Sequence, residues 1–336
     1  MSSVASHLST KLSPLGTLLA LALPLVVISY RVLRVPRRAA KVARTDERVL
    51  ILGGSSGIGR AIAREYATRG ARVCLVARRE EELRRVVDEC AALCPEKSSH
   101  EGERVISVVA DFTNVDDMVT VRGVVEHKWQ GIDTLMVSAG ASALRPLMEV
   151  AGLERLGTSF TPPQANVEGL RRAVEVANAA ARINYTGPLV SAATFLPLLQ
   201  SNSPAPAILL ISSLGAVVPA PTRSIYASTK SASLVLYECL AIEHPAVAFS
   251  FAILATVQGD FRASAVDAGP VRESDPNRHG LLPEDVAQRC VRAVDTGEKF
   301  FWMPYLYSRL GHALYWIVPS FVEWRAGVKY KFSPQA

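Results

Sequence analysis

Short apolar runs alternate with amphipathic stretches through most of the chain. Six runs are apolar almost throughout, as strands covered on both faces of a sheet must be: Val49–Leu52, Arg72–Val76, Val105–Val109, Leu135–Val137, Ile208–Ser212 and Phe249–Leu254. The stretches between them have helical periodicity: Arg60–Thr68, Glu80–Leu93, Val115–Trp129, Leu189–Leu199 and Tyr226–Glu243. This alternation predicts βαβ crossovers and an α/β fold with a doubly wound parallel sheet, whose ligand binds at the carboxyl ends of the strands.

Two segments break this rhythm. Residues 141–182 have no clear strand pattern and contain the polar stretch GTSFTPPQANVEG before a helical run. They are interpreted as an insertion, either surface decoration or a helical hairpin over the site. Gln258–Gly280 is long, polar and unpatterned and follows the last clear strand. Its position favours a flexible substrate lid.

The amino-terminal part of the chain has the pattern of a membrane anchor. Leu12–Tyr30 is a run of 19 residues without a charge, and as a helix it would be about 28 Å long, close to the thickness of a bilayer core. Six basic residues follow it between Arg31 and Arg44. Positive charge after the run predicts an uncleaved transmembrane helix with the body in the cytosol. A cleaved signal or an interfacial helix remains the alternative, since Pro14 and Pro24 interrupt the run.

The carboxyl-terminal segment, 299–336, is rich in aromatic residues. Phe300–Trp324 is interrupted by prolines, Arg309 and His312, so it is a poor candidate for a spanning helix. Trp and Tyr concentrate where one edge of a side chain is apolar and the other is wet. The segment is therefore interpreted as a membrane-associated element at the mouth of a lipid-accepting pocket, or as a helix packed on the domain or on a second subunit.

The charge distribution changes what the composition implies. The chain of 336 residues has 37 Lys and Arg against 31 Asp and Glu, but residues 1–44 hold seven basic side chains and no acidic one. The remaining 30 basic and 31 acidic residues nearly balance, so the charge is not a nucleic-acid footprint and no nucleic-acid partner is expected. The chain has five cysteines, an odd number scattered along its length, which does not suit a disulfide framework. Their spacing also forms no metal-binding motif, so no metal is expected.

A glycine-rich turn follows the first predicted strand. Gly53, Gly57 and Gly59 stand between that strand and a helix, with Ser55, Ser56 and Ile58 among them. Strand, glycine turn and helix is the context that a dinucleotide-binding site requires, because backbone N–H groups must approach a pyrophosphate without a Cβ in the way.

Two arginines follow the second predicted strand. A cofactor without a 2′-phosphate would favour an Asp or Glu at this place, but the chain has Arg78 and Arg79. Two guanidinium groups suit a 2′-phosphate, so NADP(H) is the predicted cofactor. The alternative is that both residues open a solvated helix beside Glu80, Glu81 and Glu82.

A group of polar residues follows the strand Ile208–Ser212. Ser213 stands at the strand end, Tyr226 lies thirteen residues further on, and Lys230 lies four after that. Tyr226 and Lys230 share a helix face at this spacing. Reduction of a ketone needs a proton for the developing alkoxide, and Tyr226 is an acid that could provide it. Because a free phenol has a pKa of about 10, we expect the positive charge of Lys230 to favour the phenolate.

Together these motifs resemble those of the short-chain dehydrogenase/reductase family, from about Arg48 to Gly297. The residues that carry the resemblance are Gly53, Gly57, Gly59, Asp111, Ala139, Gly140, Asn184, Ser213, Tyr226 and Lys230. The membrane ends and the loop RASAVDAGP are most similar to the membrane-anchored subgroup around dehydrogenase/reductase member 7. The resemblance implies a Rossmann fold over residues 45–298, after an anchor and basic segment at 1–44 and before the carboxyl-terminal segment.

The resemblance also implies residue roles. The turn Gly53–Gly59 would cradle the pyrophosphate, Asp111 would lie by the adenine, and Ala139–Gly140 would pass close to the cofactor. Lys230 would hold the nicotinamide ribose, Ser213 would hydrogen-bond the substrate oxygen, and Asn184 would position a water in the proton relay. Val257 stands where a contact to the carboxamide is expected. The chemical alternatives are a structural amide for Asn184 and a turn residue or helix cap for Asp111.

Two functions are carried forward. The first is a membrane-anchored oxidoreductase that transfers a hydride between NADP(H) and a ketone or secondary alcohol of a lipophilic substrate, such as a steroid, retinoid, sphingoid base or other lipid. The second is a catalytically silent NADPH-binding scaffold or sensor, motivated by departures from the family pattern at Leu254–Ala255 and Val137–Ser138. The anchor and family predict the endoplasmic reticulum membrane, with the catalytic domain in the cytosol and the lipid droplet as second choice. Membrane lipid is an expected partner, and the resemblance leaves a homodimer open.

Overall fold

The computed structural model describes Ala22, Arg38 and residues 40–95, 103–273 and 275–332. The predicted anchor, Leu12–Tyr30, lies outside these residues apart from Ala22. Among the described helices, none has the length and hydrophobicity needed to cross a bilayer.

A sheet of parallel strands lies at the centre of the molecule. The strands within the described residues are β1 (Arg48–Leu52), β2 (Arg72–Ala77), β3 (Val105–Val109), β4 (Thr134–Val137), β5 (Glu154–Leu156), β6 (Ser159–Thr161), β7 (Ala207–Ile211), β8 (Ala248–Leu254) and β9 (Phe300–Met303). Seven of them form the central sheet in the order β3-β2-β1-β4-β7-β8-β9, and every pair in it is parallel. This confirms the predicted parallel α/β sheet of the Rossmann type.

Helices cover both faces of this sheet. They are α1 (Gly57–Thr68), α2 (Glu80–Leu93), α3 (Val115–Trp129), α4 (Leu147–Val150), α5 (Val167–Ala181), α6 (Gly187–Asn202), α7 (Ser224–Glu243), α8 (Pro276–His279), α9 (Pro283–Thr296), α10 (Tyr305–Ile317) and α11 (Pro319–Lys329). Successive residues of β1 point to opposite faces: Leu50 packs in one core with Phe195, and Val49 packs in the other with Ile62. Two buried faces explain why the strands are apolar throughout.

The sheet order places a crevice at the end of β1. This strand pairs with β2 on one side and β4 on the other, so the chain connections diverge there. Ligands of doubly wound sheets bind outside the carboxyl ends of the strands at such a point.

The segment 141–182 differs from the predicted strand-free insertion. It holds the short helix α4, an antiparallel hairpin of β5 and β6, and the helix α5. The residues of β5 are all exposed, so the hairpin lacks the buried alternate positions by which a strand is recognised in a sequence. Helix α5 runs directly into a π-helical turn, Arg182–Thr186, and then into α6. It is therefore continuous with the helices of the domain.

The sheet also extends past the predicted boundary at 298. Phe300–Met303 is strand β9, which pairs with β8, and Trp302 is only 7% exposed. Aromatic residues fit a buried strand and a membrane interface equally well, which is why the pattern alone did not separate them. Helices α10 and α11 follow and pack against each other as a hairpin.

Arg38, which belongs to the predicted basic segment, is buried. Its guanidinium contacts Glu47 at 2.6 Å and donates to the carbonyl oxygen of Ala205 at 2.9 Å. Arg44 also pairs with the body, through Asp295 at 3.1 Å. These two cations are therefore engaged by the folded domain.

Candidate active site

The glycine turn after β1 requires residues without side chains. Gly53 has φ +90° and Gly57 has φ +52°, a region that favours glycine. A Cβ at Gly53 would lie 2.7 Å from the backbone nitrogen of Ala139, and one at Gly59 would lie 2.1 Å from the carbonyl oxygen of Gly53. Helix α1 therefore begins closely packed against the ends of β1 and β4.

Arg79 lies over this turn. Its guanidinium donates to the hydroxyl oxygens of Ser55 at 3.3 Å and Ser56 at 2.9 Å. Arg78 and Arg79 both line the cavity at the carboxyl end of the sheet. Ile58 is half-buried and packs on the core beneath the turn. The turn and the two predicted arginines are thus parts of one surface.

Asp111 follows β3 in the same cavity and shapes a turn. Its carboxylate accepts hydrogen bonds from the backbone N–H and the hydroxyl of Thr113, at 3.0 and 2.8 Å, and lies 3.4 Å from Arg182. Ala139 donates its N–H to Leu52, and Gly140 follows it along the cavity wall. The structure places all three residues where the sequence predicted them, at strand ends.

Ser213, Tyr226 and Lys230 meet where β7 ends and α7 begins. The three side chains line the cavity. Ser213 Oγ accepts from the N–H of Gly215 at 3.1 Å, and the Ser213 side chain acts on the Tyr226 hydroxyl. A Cβ at Gly140 would lie 3.4 Å from Lys230 Nζ, so the amine is directed at the turn after β4.

The electrostatics at Tyr226 differ from the prediction. Burial raises the pKa of the phenol, while the hydrogen bond with Ser213 and the charges of Arg223 and Arg262 oppose that rise. Lys230 donates instead to the carbonyl oxygen of Ile211 at 2.9 Å, and burial lowers its own pKa to about 8. The cations that act on the phenol are therefore two arginines that the motif analysis did not single out.

Asn184 is fully buried in the π-helical turn. Its Oδ1 accepts from the N–H of Ala141 at 2.9 Å, and its Nδ2 donates to the carbonyl oxygen of Ala141 and the hydroxyl of Thr229, at 2.9 and 3.0 Å. Thr229 donates in turn to the carbonyl oxygen of Tyr226 at 2.9 Å. The amide connects the turn after β4 to the second turn of α7, which agrees with the structural alternative considered for this residue.

Val257 is half-buried on the opposite wall. It forms an isolated parallel bridge with Leu281, and its carbonyl oxygen accepts from Arg262 at 3.2 Å. The segment after it, predicted as a lid, passes over Tyr226: the ring of Phe261 contacts that of Tyr226 edge to face, with centroids 6.2 Å apart.

Except for Gly59 and Asn184, the predicted site residues line one cavity of about 1470 Å³. Its far wall consists of side chains from α10 and α11 that the motif analysis did not assign to the site. They are Tyr307, Leu310, Leu314, Phe321, Val322 and Ala326. One of the two interpretations of the sequence placed this aromatic segment at the mouth of a pocket, but which of its side chains face the site depends on the tertiary packing.

The residues at the glycine turn fit a nicotinamide dinucleotide. The turn offers a surface from which Cβ atoms are excluded, and helix α1 begins there. The N-cap residue of α1 is Ser56, whose side chain makes no capping hydrogen bond to the described residues of the helix. The first backbone N–H groups of α1 can therefore donate hydrogen bonds to an anion. Gly53–Gly59 would hold the pyrophosphate, and Lys230 would reach the nicotinamide end.

Comparison with known proteins defines the class. A model of the short chain dehydrogenase family matches residues 47–258, which include the glycine turn, Ser213, Tyr226 and Lys230. The chain belongs to this family, as its motifs predicted. It is therefore classed with oxidoreductases that act on an alcohol or a ketone.

Individual relatives agree with the expected subgroup. The chain is 27% identical over 281 residues to 11-beta-hydroxysteroid dehydrogenase-like 2 of Arabidopsis thaliana, covering 83% of this chain and 76% of that one. It is 25% identical to dehydrogenase/reductase SDR family member 7B of Xenopus tropicalis, over 76% of each chain. A short chain dehydrogenase of Pseudocercospora fijiensis is 29% identical over 58% of this chain, a match that spans 53% of that relative.

Solved structures share the fold. A short chain dehydrogenase/reductase from Burkholderia phymatum in complex with NAD superimposes with a TM-score of 0.63 at 19% identity, covering 88% of this chain and 99% of that one. An alcohol dehydrogenase from Thermococcus sibiricus complexed with 5-hydroxy-NADP gives a TM-score of 0.59 at 21% identity, over 76% and 95%. One of these neighbours holds NAD and the other an NADP derivative.

Proposed function

We propose that the chain is a membrane-associated, NADP(H)-dependent enzyme that interconverts a ketone and a secondary alcohol on a lipophilic substrate. The observation that carries the proposal is the single cavity in which Ser213, Tyr226 and Lys230 face both the glycine turn and the apolar wall of α10 and α11. A steroid, a retinoid, a sphingoid base or another lipid fits such a wall. The proposed location is the endoplasmic reticulum membrane with the domain in the cytosol, and the lipid droplet is the second candidate.

The chain's own residues handle the proton and the substrate oxygen. When bound, the nicotinamide exchanges a hydride with the substrate carbon. Tyr226 donates its phenolic proton to the carbonyl oxygen during reduction and accepts it during oxidation. Ser213 donates a hydrogen bond to the same oxygen and so orients the carbonyl. Lys230 lies one helical turn from Tyr226, and its amine, directed at the turn after β4, would hold the nicotinamide ribose. The charges of Arg223 and Arg262 favour the phenolate as the proton leaves.

Removal of the phenol hydroxyl tests the enzyme proposal. We expect Tyr226→Phe to bind NADPH as wild type does but to reduce a lipid ketone about 10²–10⁴-fold more slowly, since a positioned general acid contributes about that factor. Binding is followed by fluorescence titration and turnover by NADPH absorbance. Tyr237→Phe is the matched control, because Tyr237 lies on the same helix and hydrogen-bonds Pro188 away from the cavity. If Tyr226→Phe preserves the function in cells, a catalytically silent scaffold replaces the enzyme.

The NADP(H) preference is supported by the position of Arg79 over the turn and of Arg78 beside it. A hydrogen bond to a charged group contributes about 1.5–3 kcal/mol, so we expect Arg79→Ala to weaken NADPH binding about 10- to 100-fold. NADH binding should change much less, because NADH lacks the 2′-phosphate. Arg84→Ala on the same helix is the control, since Arg84 lies outside the cavity and pairs with Glu80. Equal losses for both cofactors would contradict the preference.

A further inference from the structure

A cluster of charged side chains lies at the substrate end of the cavity, beyond Tyr226. Glu273 is at its centre, 2.5 Å from Arg262, 3.3 Å from Arg223 and 3.7 Å from Lys329. Its other close partner is the Thr256 hydroxyl, which donates to Oε1 at 3.1 Å. All five residues line the cavity. We call Arg223, Arg262, Glu273 and Lys329 the cationic cluster.

The cationic cluster carries more positive charge than its carboxylate can balance. Three cations surround one carboxylate, which leaves an excess of two positive charges. Burial would raise the pKa of Glu273, but Arg262, Arg223 and Lys329 hold it below its usual range, so the carboxylate is already ionised. Asp260 also lines the cavity but is exposed. Partly buried positive charge in excess is costly unless an anion accompanies it.

The cationic cluster is within reach of the reacting group. Arg223 Cζ lies 5.8 Å from the centroid of the Tyr226 ring and 5.5 Å from that of Tyr330. Arg223 is 7% exposed and is held by Ser142 Oγ at 2.9 Å, so its position is fixed. An anionic group bound here would belong to a molecule whose carbonyl is only a few bonds away at Tyr226.

We propose that the cationic cluster binds an anionic oxygen group, a carboxylate or a phosphate, on the substrate, a few bonds from the ketone. This proposal rests on the proposed function and narrows its substrate class from lipophilic ketones to acidic lipid ketones. The apolar wall of α10 and α11 takes the hydrocarbon part, and Lys329, near the end of α11, joins that wall to the charged group.

Equilibrium binding separates this proposal from catalysis. The probes are a long-chain γ-keto acid, its uncharged methyl ester, and the phosphate monoester of a long-chain hydroxyketone with its parent alcohol. Affinities are measured by calorimetry on the full chain with the oxidised cofactor present. We expect at least one acid to bind about tenfold or more tightly than its neutral counterpart, and the preference to shrink at high salt. Which acid shows it identifies the group.

Variants that remove a positive charge, compared with one that removes the negative charge, distinguish an anion-binding site from a purely structural set of ion pairs. Lys329→Gln and Arg262→Gln remove a cation and should lower the acid-to-neutral affinity ratio by about tenfold. Glu273→Gln removes the balancing carboxylate and should raise that ratio. If the cationic cluster only held the segment Gln258–Gly280 against α11, all three variants would change the affinities for the acidic and neutral probes by the same factor. Arg309→Gln is the control, because Arg309 lies on α10 over the Trp302 ring and outside the cavity.

The outcomes also separate this proposal from the enzyme proposal. Equal binding of acids and their neutral counterparts overturns the anion site, whether or not the neutral ketone is reduced. Preferential binding of an acid without turnover leaves the anion site standing and removes the reductase. An acid preference that Lys329→Gln and Arg262→Gln leave intact places the anion elsewhere and likewise overturns the proposal.

Discussion

Tyr226 is half-buried and Lys230 is buried, and burial moves their pKa values in opposite directions. It raises that of the phenol and lowers that of the amine to about 8. Each shift favours the neutral form of its group. The proton of Tyr226 is therefore retained at neutral pH, which is the form needed to protonate a ketone oxygen.

The lowered pKa of Lys230 predicts a pH dependence of stability in the cofactor-free protein. Between pH 8 and 10.5 the unfolded chain keeps this proton while the folded chain loses it. Because the unfolded state then binds more protons, the contribution of Lys230 to the free energy of unfolding rises with pH in that window. From about pH 7 to about pH 9.5 we expect wild type to gain about 2 kcal/mol relative to Lys230→Met.

Denaturant unfolding at a series of pH values measures this difference. Titrating groups that both proteins share contribute equally to their unfolding free energies. The difference between the two unfolding free energies therefore changes with pH only through Lys230. Lys128→Met is the control, since Lys128 is a surface residue that pairs with exposed Glu103. Parallel profiles for wild type and Lys230→Met would show that Lys230 keeps an ordinary pKa in the folded chain.

Among the elements, the π-helical turn Arg182–Thr186 connects the two halves of the site. Asn184 in this turn satisfies both backbone groups of Ala141 and reaches Thr229 on α7. We expect Asn184→Ala to lower the free energy of unfolding by about 3 kcal/mol, because it leaves buried polar groups without partners that cost about 1–3 kcal/mol each.

Thr229→Val is a milder variant that tests the same prediction. It removes the third hydrogen bond of Asn184 and the bond from the Thr229 hydroxyl to the carbonyl oxygen of Tyr226, but it keeps both bonds to Ala141. Its unfolding free energy should fall by about 1–2 kcal/mol, less than that of Asn184→Ala. If Asn184→Ala were as stable as wild type while losing turnover, a role in the proton relay would replace the structural one.

The elements that the sequence predicted best are those whose pattern depends on local burial. Strands covered on both faces are apolar throughout, so six of the seven strands in the sheet were placed to within about a residue. Strand β9 was missed because its residues, FFWM, fit a membrane interface as well as a sheet. The two strands of the hairpin, β5 and β6, have three residues each and no buried position, so they are too short for a strand pattern to be recognised in the sequence.

The site was predictable where it depends on short spacings. Tyr226 and Lys230 are four residues apart on one helix, and the glycine turn is one continuous segment. Arg223, Arg262 and Glu273 come together only through tertiary packing, and two of them lie in a loop without periodicity. Arg223 did carry a local signal, since it precedes Tyr226 by three residues and such neighbours share a helix face.

At the scale of the molecule, the exposed aromatic residues concentrate on the hairpin of α10 and α11. Of the four tryptophans, Trp129 and Trp302 are 6% and 7% exposed, whereas Trp316 and Trp324 are 76% and 60% exposed. Other exposed apolar side chains of the hairpin that lie outside the cavity include Leu306, Ile317 and Val328. An exposed apolar patch of this kind indicates a surface that is covered by lipid or by another protein. The inner face of the same hairpin lines the cavity. The lipid or protein that covers the hairpin would therefore also determine which substrates reach the site.

The contrast between the two pairs of tryptophans makes the membrane proposal measurable. With full-length protein bound to vesicles that contain a doxyl-labelled lipid, we expect quenching of the emission of Trp316 and Trp324, while Trp129 and Trp302 stay shielded in the core. A Trp316→Phe/Trp324→Phe variant should retain vesicle binding through the proposed amino-terminal anchor and lose the quenching. A Trp129→Phe/Trp302→Phe variant is the matched control and should keep it. If instead the doxyl lipid leaves all emission unchanged and light scattering gives twice the chain mass, a second copy of the chain covers the hairpin and the site opens at a subunit interface.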